Sequence, residues 1–400
     1  MSNSNKFFWI SAANVFACLG VIILHCNSIF WSFPKGFTWY TANFLETFFY
    51  WPVPVFFMIS GATSINYRER YSTGTFLVKR FKRTLIPFFF WSIVAMLFRI
   101  KFYGYETNSI KDVISGIFNT NYFSIYWFFI PLFAIYLSMP MLSAVSKEYR
   151  TKVFGYIVLM TFIFTSLFPT LFSLLQLNYN KDIQPPVAGG YVLYVLVGYL
   201  IANTDLTKKQ RFAAYAISFL GWFLHFQGTT MVSFKAGEII GTYKGYMNFP
   251  AVMHSIGVFI LFKYFPWHKI LGTRGIQLIQ SLAKYTFGIY LMHFYFVLGI
   301  PEITKLNVGD LKWRTFGALL IFILCALLSS IISRIPFFKL LIGSYYTLHP
   351  KTLKLLPFSC SLYEVRQKAL SLLICMIYGQ ASGVRINYSY KLENFRIHHV

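Results

Sequence analysis

Asn14-Val15-Phe16-Ala17-Cys18-Leu19-Gly20-Val21-Ile22-Ile23-Leu24-His25 lies inside an apolar run from about residue 8 to residue 30. A bilayer crossing needs about 20 apolar residues, so this run is long enough to span. It carries one titratable ring, His25. Hydrocarbon does not solvate imidazole, so a histidine at membrane depth faces a protein interior or a watery cavity. Near neutral pH it is also a natural proton carrier. Two readings of His25 are therefore open on this stretch: a catalytic base, or a polar residue bonded to a neighbouring helix.

The rest of the chain extends the membrane reading. It is 56% hydrophobic, 21% aromatic and 12% charged, and a soluble core has no room for that much apolar surface. Candidate spans fall near 8–30, 44–66, 84–103, 124–143, 153–173, 187–203, 211–228, 247–264, 285–300 and 315–334. The first is expected to be a retained helix, since only Lys6 precedes it and no small-residue cleavage site follows. The expected fold class is therefore all-α, a polytopic transmembrane bundle of about ten spans.

A net charge of +24 invites a nucleic-acid reading, but the location of the charge argues for no nucleic acid. With alternating faces, 26 of the 36 Lys and Arg fall on the face that holds the N-terminus. This is the asymmetry of the positive-inside rule, which predicts that both termini are cytoplasmic. Attraction to anionic membrane lipid is a secondary consequence. The five cysteines, Cys18, Cys26, Cys325, Cys360 and Cys375, form no C-x-x-C pair, so neither a disulfide framework nor a zinc site is expected.

Residues 1–343 read as one membrane-embedded domain and 344–400 as a basic cytoplasmic tail whose apolar stretch 369–378 is short for a span. Within the second span, Trp51-Pro52-Val53-Pro54 is expected to break the helix, because proline removes a backbone donor. Glu46 reads as lying just before that span.

Four groups of residues carry candidate chemistry. Asn14 and His25 are eleven positions apart, about 16 Å along a helix and on one face. Phe56-Phe57-Met58-Ile59-Ser60-Gly61-Ala62 ends the second span in small residues that permit close helix approach. Arg80 and Arg83, three apart with Lys79 beside them, present forked donors suited to phosphate, though basic clusters are also usual at an inner membrane face. His293 falls in the outer half of the ninth span, with His225 and His254 near the outer ends of the seventh and eighth. No pair of these has close ligand spacing and no carboxylate cluster joins them, so no metal is expected.

Taken in order, these segments resemble the acyltransferase 3 family of membrane acyltransferases over about residues 8–343. His25 is similar to the family's first-helix histidine, and Phe56 through Gly61 to its FF-x-x-SG signature. Arg80-Phe81-Lys82-Arg83 with Pro87 resembles its R-x-x-R…P element. Tyr126-Trp127-Phe128-Phe129 with Tyr136 and Pro140 resembles the central WF…Y…P segment, and Tyr194 through Tyr199 the LGY helix. Thr286 through His293 is similar to the late S-x-x-x-YL-x-H segment. One position departs: Asn14 stands where the family usually has arginine.

The resemblance implies transfer of an acyl group, commonly acetyl from acetyl-CoA, to a hydroxyl of a surface glycan or lipid-linked sugar at the cell membrane. Arg80, Arg83 and Lys79 then hold the CoA phosphates, Asn14 lines the way in, and His25 is the general base, with an acyl-histidine relay as a variant. His293 and Trp127 are the candidate acceptor-binding residues. The alternative is a transporter or flippase for a polar or lipid-linked solute, since broken helices and membrane-depth histidines serve transport equally well.

Overall fold

The computed structural model describes residues 7–343 other than 35, 108, 186, 188, 336 and 337, so the tail from 344 onward lies outside the described residues. Among the described residues all regular structure is helical. In chain order the α-helices are α1 Phe8–Cys26, α2 Phe37–Phe48, α3 Pro52–Ser64, α4 Thr73–Tyr103 and α5 Ile110–Phe118. Next come α6 Phe129–Ala144, α7 Lys147–Thr161, α8 Phe168–Leu174, α9 Val192–Asn203 and α10 Lys208–Ala236. The last are α11 Phe249–Tyr264, α12 Trp267–Ala283, α13 Thr286–Thr304, α14 Ala318–Ile332 and the short α15 Phe338–Leu341.

Local chemistry sets several of these boundaries. Ser72 accepts from Thr75 N at 3.3 Å to start α4, and Gly104 ends it in the left-handed conformation at φ +62°. Thr207 and Gln210 form a reciprocal capping box at the start of α10. Pro52 and Pro54 lie in the first turn of α3, where a missing N–H costs little. The expected break in the second span is thus a clean stop of α2 at Phe48 followed by a proline-led restart.

By length and hydropathy, seven helical stretches among the described residues can cross a membrane: Phe8–Ser32, Phe37–Glu69, Thr73–Tyr103, Ser124–Ala144, Lys147–Leu174, Thr286–Thr304 and Trp313–Ile332. The pair α11 and α12, bent by 81° at its break, makes an eighth if taken as one span. The two further spans expected near 187–203 and 211–228 fall on α9 and α10. At 12 residues α9 rises only about 18 Å, well short of a ~30 Å hydrocarbon core. Its residues Leu193 through Tyr199 are all buried, so it is surrounded by protein instead of lipid. Helix α10 is long enough at 29 residues, and it turns His225, Thr229, Thr230 and Ser233 into the protein while Ile217, Phe219, Leu220, Phe223, Met231 and Phe234 are exposed; its polar inner face is what lowers its mean hydropathy. Glu46 is also corrected: it lies within the Phe37–Glu69 stretch and is 4% exposed.

The crossing of α3 and α9 fixes the middle of the bundle. A Cβ added to Gly61 would lie 1.8 Å from Val195 O, and one added to Gly198 would lie 2.0 Å from Met58 O. The two backbones therefore touch, and only glycine fits at either position. This is the close approach read from the small residues after Phe56-Phe57. Gly61→Ala and Gly198→Ala are each expected to destabilise beyond the ~1–3 kcal/mol typical of overpacking. Thermal unfolding in detergent checks this, and an unchanged Tm for either variant contradicts the packing argument.

Candidate active site

The site is built on α1 and α13. Asn14 Nδ2 donates to Thr286 Oγ1 at 2.8 Å, and Thr286 Oγ1 donates in turn to Ala283 O at 3.1 Å. Further along both helices, the rings of His25 and His293 meet with centres 5.3 Å apart and planes tilted by 35°. From Asn14 to His25 is about 16 Å of helical rise, and from Thr286 to His293 about 10 Å, in the same sense. The two helices thus run parallel, and the polar face of α1 is the face turned to α13. Small buried residues, Ala12, Ala13, Ala17 and Gly20, let neighbouring helices close in on α1.

The two histidines sit differently. His293 is fully buried and its Nδ1 lies 2.7 Å from Tyr290 O. A carbonyl only accepts, so Nδ1 carries the proton and Nε2 keeps a lone pair. That Nε2 is buried with no hydrogen-bond partner among the described residues. His25 is half-buried and its ring makes no hydrogen bond among those residues; the Phe294 ring stands in a T-shaped contact with it at 5.4 Å. Around the pair, Tyr290 OH donates to Ile125 O and Tyr126 OH donates to Leu291 O at 2.9 Å. These bonds fasten the segment leading into α6 onto α13.

Trp127 is not in ring contact with either histidine. It stacks on Tyr246 at 5.6 Å and lies 5.8 Å from Tyr191, and Phe128 and Tyr290 stand between it and His293. Tyr246 is stacked at 4.3 Å on Tyr50. The loop that carries Tyr246 is held down by Lys244, whose Nζ lies 2.7 Å from Glu46 Oε1 and 4.1 Å from the Tyr50 ring centre. Burial pushes the Lys244 ammonium below the usual lysine range, and the Glu46 carboxylate opposes that shift. Sequence reasoning misses this pair, since only the fold brings position 244 back to position 46.

Arg80, Arg83 and Lys79 share the first half of α4, at the end of the bundle where α1 begins. Arg80 Nη2 donates to Ser64 Oγ at 2.8 Å, and its guanidinium lies over the Phe76 and Tyr136 rings. Arg83 is half-buried and Lys79 is exposed, with its Nζ 4.5 Å from the Tyr71 ring centre. Two further arginines of this end are structural. Arg150, 5% exposed, donates to Ser143 O at 2.7 Å and Val145 O at 2.8 Å at the end of α6, and to Asn66 Oδ1 at 2.6 Å. Arg68 donates to Ser143 Oγ at 2.8 Å.

At the histidine end Arg314 is 2% exposed and donates to Asn27 Oδ1 and Thr41 Oγ1, with no carboxylate at ion-pair distance among the described residues. His225 and His254 stand apart from the His25–His293 pair, against Tyr50 and against Ser218 and Phe48. No three of the described His, Cys, Asp and Glu residues come together as a metal-binding group. An apolar cavity of about 440 Å³ lies on the far side of α13, lined by Trp91, Val94, Phe98, Met292, Tyr295 and Leu328 among others, and no histidine or carboxylate faces it.

The arrangement is a pair of imidazoles at one end of the bundle and a group of arginines at the other. No curated protein and no solved structure matches the chain. The acyltransferase-domain family of the acyltransferase 3 type matches residues 7–335, which includes every residue of the site just described. The chain belongs to the acyltransferase 3 family and is a membrane acyltransferase.

Proposed function

We propose that the protein moves an acetyl group from acetyl-CoA to a hydroxyl of a surface glycan or lipid-linked sugar in the cell membrane. The observation that carries this is the meeting of His25 and His293 on one parallel helix pair, within a chain of this family. Acyl transfer to a hydroxyl needs one group that removes the hydroxyl proton and later returns it to the leaving sulfur. His25 is the general base: the residue is half-buried, and its ring has no hydrogen bond among the described residues to break before it binds a substrate proton.

Arg80 and Arg83, with Lys79, hold the CoA phosphates at the basic end, where guanidinium forks match phosphate oxygens. The positive-inside asymmetry supports a cytoplasmic position for that end, where acetyl-CoA is made. Asn14 lines the interior between the two ends. It acts there as a neutral hydrogen-bonding residue fixed by Thr286. The aromatic stack of Trp127, Tyr246 and Tyr50 is the acceptor's flank, since ring faces pack against the C–H faces of sugars.

Radiolabelled acetyl-CoA, supplied with envelopes from cells that lack the protein, tests this whichever hydroxyl compound is the acceptor. His25→Ala is expected to lower the transfer rate by at least about 100-fold at normal membrane level. Wild-type transfer by that variant removes the base assignment. Arg83→Ala is expected to raise the apparent KM for acetyl-CoA about ten-fold, the loss of one charge-assisted contact, with the rate at saturation held. An unchanged KM removes Arg83 from the donor site. Calorimetry with acetyl-CoA alone separates this reading from transport, which requires no such binding.

A further inference from the structure

We infer that His293 is the hydrogen-bond partner of His25 during proton transfer, so that the Tyr290 carbonyl, His293 and His25 act as one chain. This rests on the acetyl-transfer reading above. The Tyr290 carbonyl fixes the His293 tautomer through Nδ1, which leaves the Nε2 lone pair buried and without a partner among the described residues. Buried acceptors are normally satisfied, so an orphan of this kind asks for a donor that arrives in another state of the site. The His25 ring, which can carry a donor N–H, lies 5.3 Å away centre to centre.

An in-line N–H···N bond between two imidazoles places their centres roughly 5 Å apart, the bond length plus a ring radius on each side. The observed separation already meets that requirement. His25 is half-buried and unbonded among the described residues, and its terminal torsion is broad, so rotation of the ring closes the contact without backbone movement. His25 then donates from one nitrogen to His293 Nε2 and presents the lone pair of the other to the acceptor hydroxyl.

The atoms balance. The hydroxyl proton moves to the outward nitrogen of His25 as the hydroxyl oxygen bonds to the thioester carbon. The carbon–sulfur bond breaks, and the proton on His25 passes to the departing CoA sulfur. His293 keeps its Nδ1 proton throughout. Its part is to orient the base and to bond the N–H of the imidazolium, a half-buried cation that needs a hydrogen-bond acceptor. His293 is thus a positioning residue, and the Tyr290 carbonyl stands to it as a carbonyl stands to a metal-bound histidine, setting which nitrogen is free.

Three variants of the full chain separate this role from plain packing. His293→Gln keeps an acceptor near the Nε2 position and loses the bond to Tyr290. His293→Asn keeps a donor for Tyr290 and loses the acceptor facing His25. His293→Ala loses both. With radiolabelled acetyl-CoA and envelopes from cells lacking the protein, the glutamine variant is expected to be at least about ten-fold faster than the asparagine and alanine variants, the worth of a hydrogen bond to a charged group. The apparent KM for acetyl-CoA is expected to stay at the wild-type value in all three. An asparagine variant as fast as the glutamine variant overturns the inference, as does wild-type speed in all three. A wild type that transfers no acetyl group overturns the proposed function and this inference with it, whereas a reversed order beside an active wild type overturns the inference alone.

Discussion

A bilayer offers an amide or an imidazole nothing to bond to, so the first helix crosses only with its polar face against protein. Helix α13 supplies that protein. Asn14 binds Thr286 at one level, and His25 faces His293 at another. Much of the surrounding architecture follows from holding these helices side by side. The segment before α6 is tied to α13 through Tyr126 and Tyr290. Helix α3 packs on α1 where Pro52 meets the face of Gly20, and α3 in turn crosses α9 backbone to backbone at Gly61 and Gly198. Small residues appear where helices must approach closely, and aromatic residues fill the remaining space.

What was legible in the chain followed from periodicity and charge. The spacing of Asn14 and His25 placed both on one face, and both do face α13. The small residues after Phe56-Phe57 signalled a close helix crossing, which occurs. What was not legible depends on contacts between distant segments. The meeting of His25 with His293 joins positions 268 apart in sequence, and local spacing carries no signal for it. The Glu46–Lys244 pair is hidden for the same reason: in sequence, each is a lone charge beside apolar residues. The buried helix α9 shows a further limit of hydropathy. An apolar run such as Leu193–Tyr199 surrounded by protein reads the same as one surrounded by lipid, and only the 12-residue length of the helix distinguishes it.

The arginines of the basic end divide by what they touch. Arg150 and Arg68 bind the carbonyls and hydroxyl at the end of α6, so they complete a helix terminus and join α6 to its neighbours. Their positive charge is matched to the partial negative charge of that terminus. Lys79 is exposed, and Arg80 and Arg83 stand half-buried on α4. Lys79, Arg80 and Arg83 count towards the charge asymmetry that predicts orientation, as Arg68 and Arg150 do, so composition does not separate the charge proposed to bind the donor from the charge that completes a helix terminus.

Asn14 gives this division its weight. An arginine at that level of α1 would bring a full charge into the interior, where it demands a counter-ion or a bound anion. Asparagine makes no such demand: its amide is neutral and donates to Thr286, itself bonded to Ala283 O. The interior between the two ends is consequently close to neutral along α1, and Cys18, midway, donates only a weak sulfur hydrogen bond to Thr286 O. A donor molecule whose phosphates are anionic and whose acyl arm is neutral suits that profile. In the proposed function its charged part stays with Arg80 and Arg83 while the uncharged arm extends towards His25. In a chain with arginine at position 14 the phosphates have a second anchor deeper in the bundle. In the proposed function electrostatics confines them to the basic end, and the distance from Asn14 to His25, about 16 Å, is crossed by neutral atoms alone.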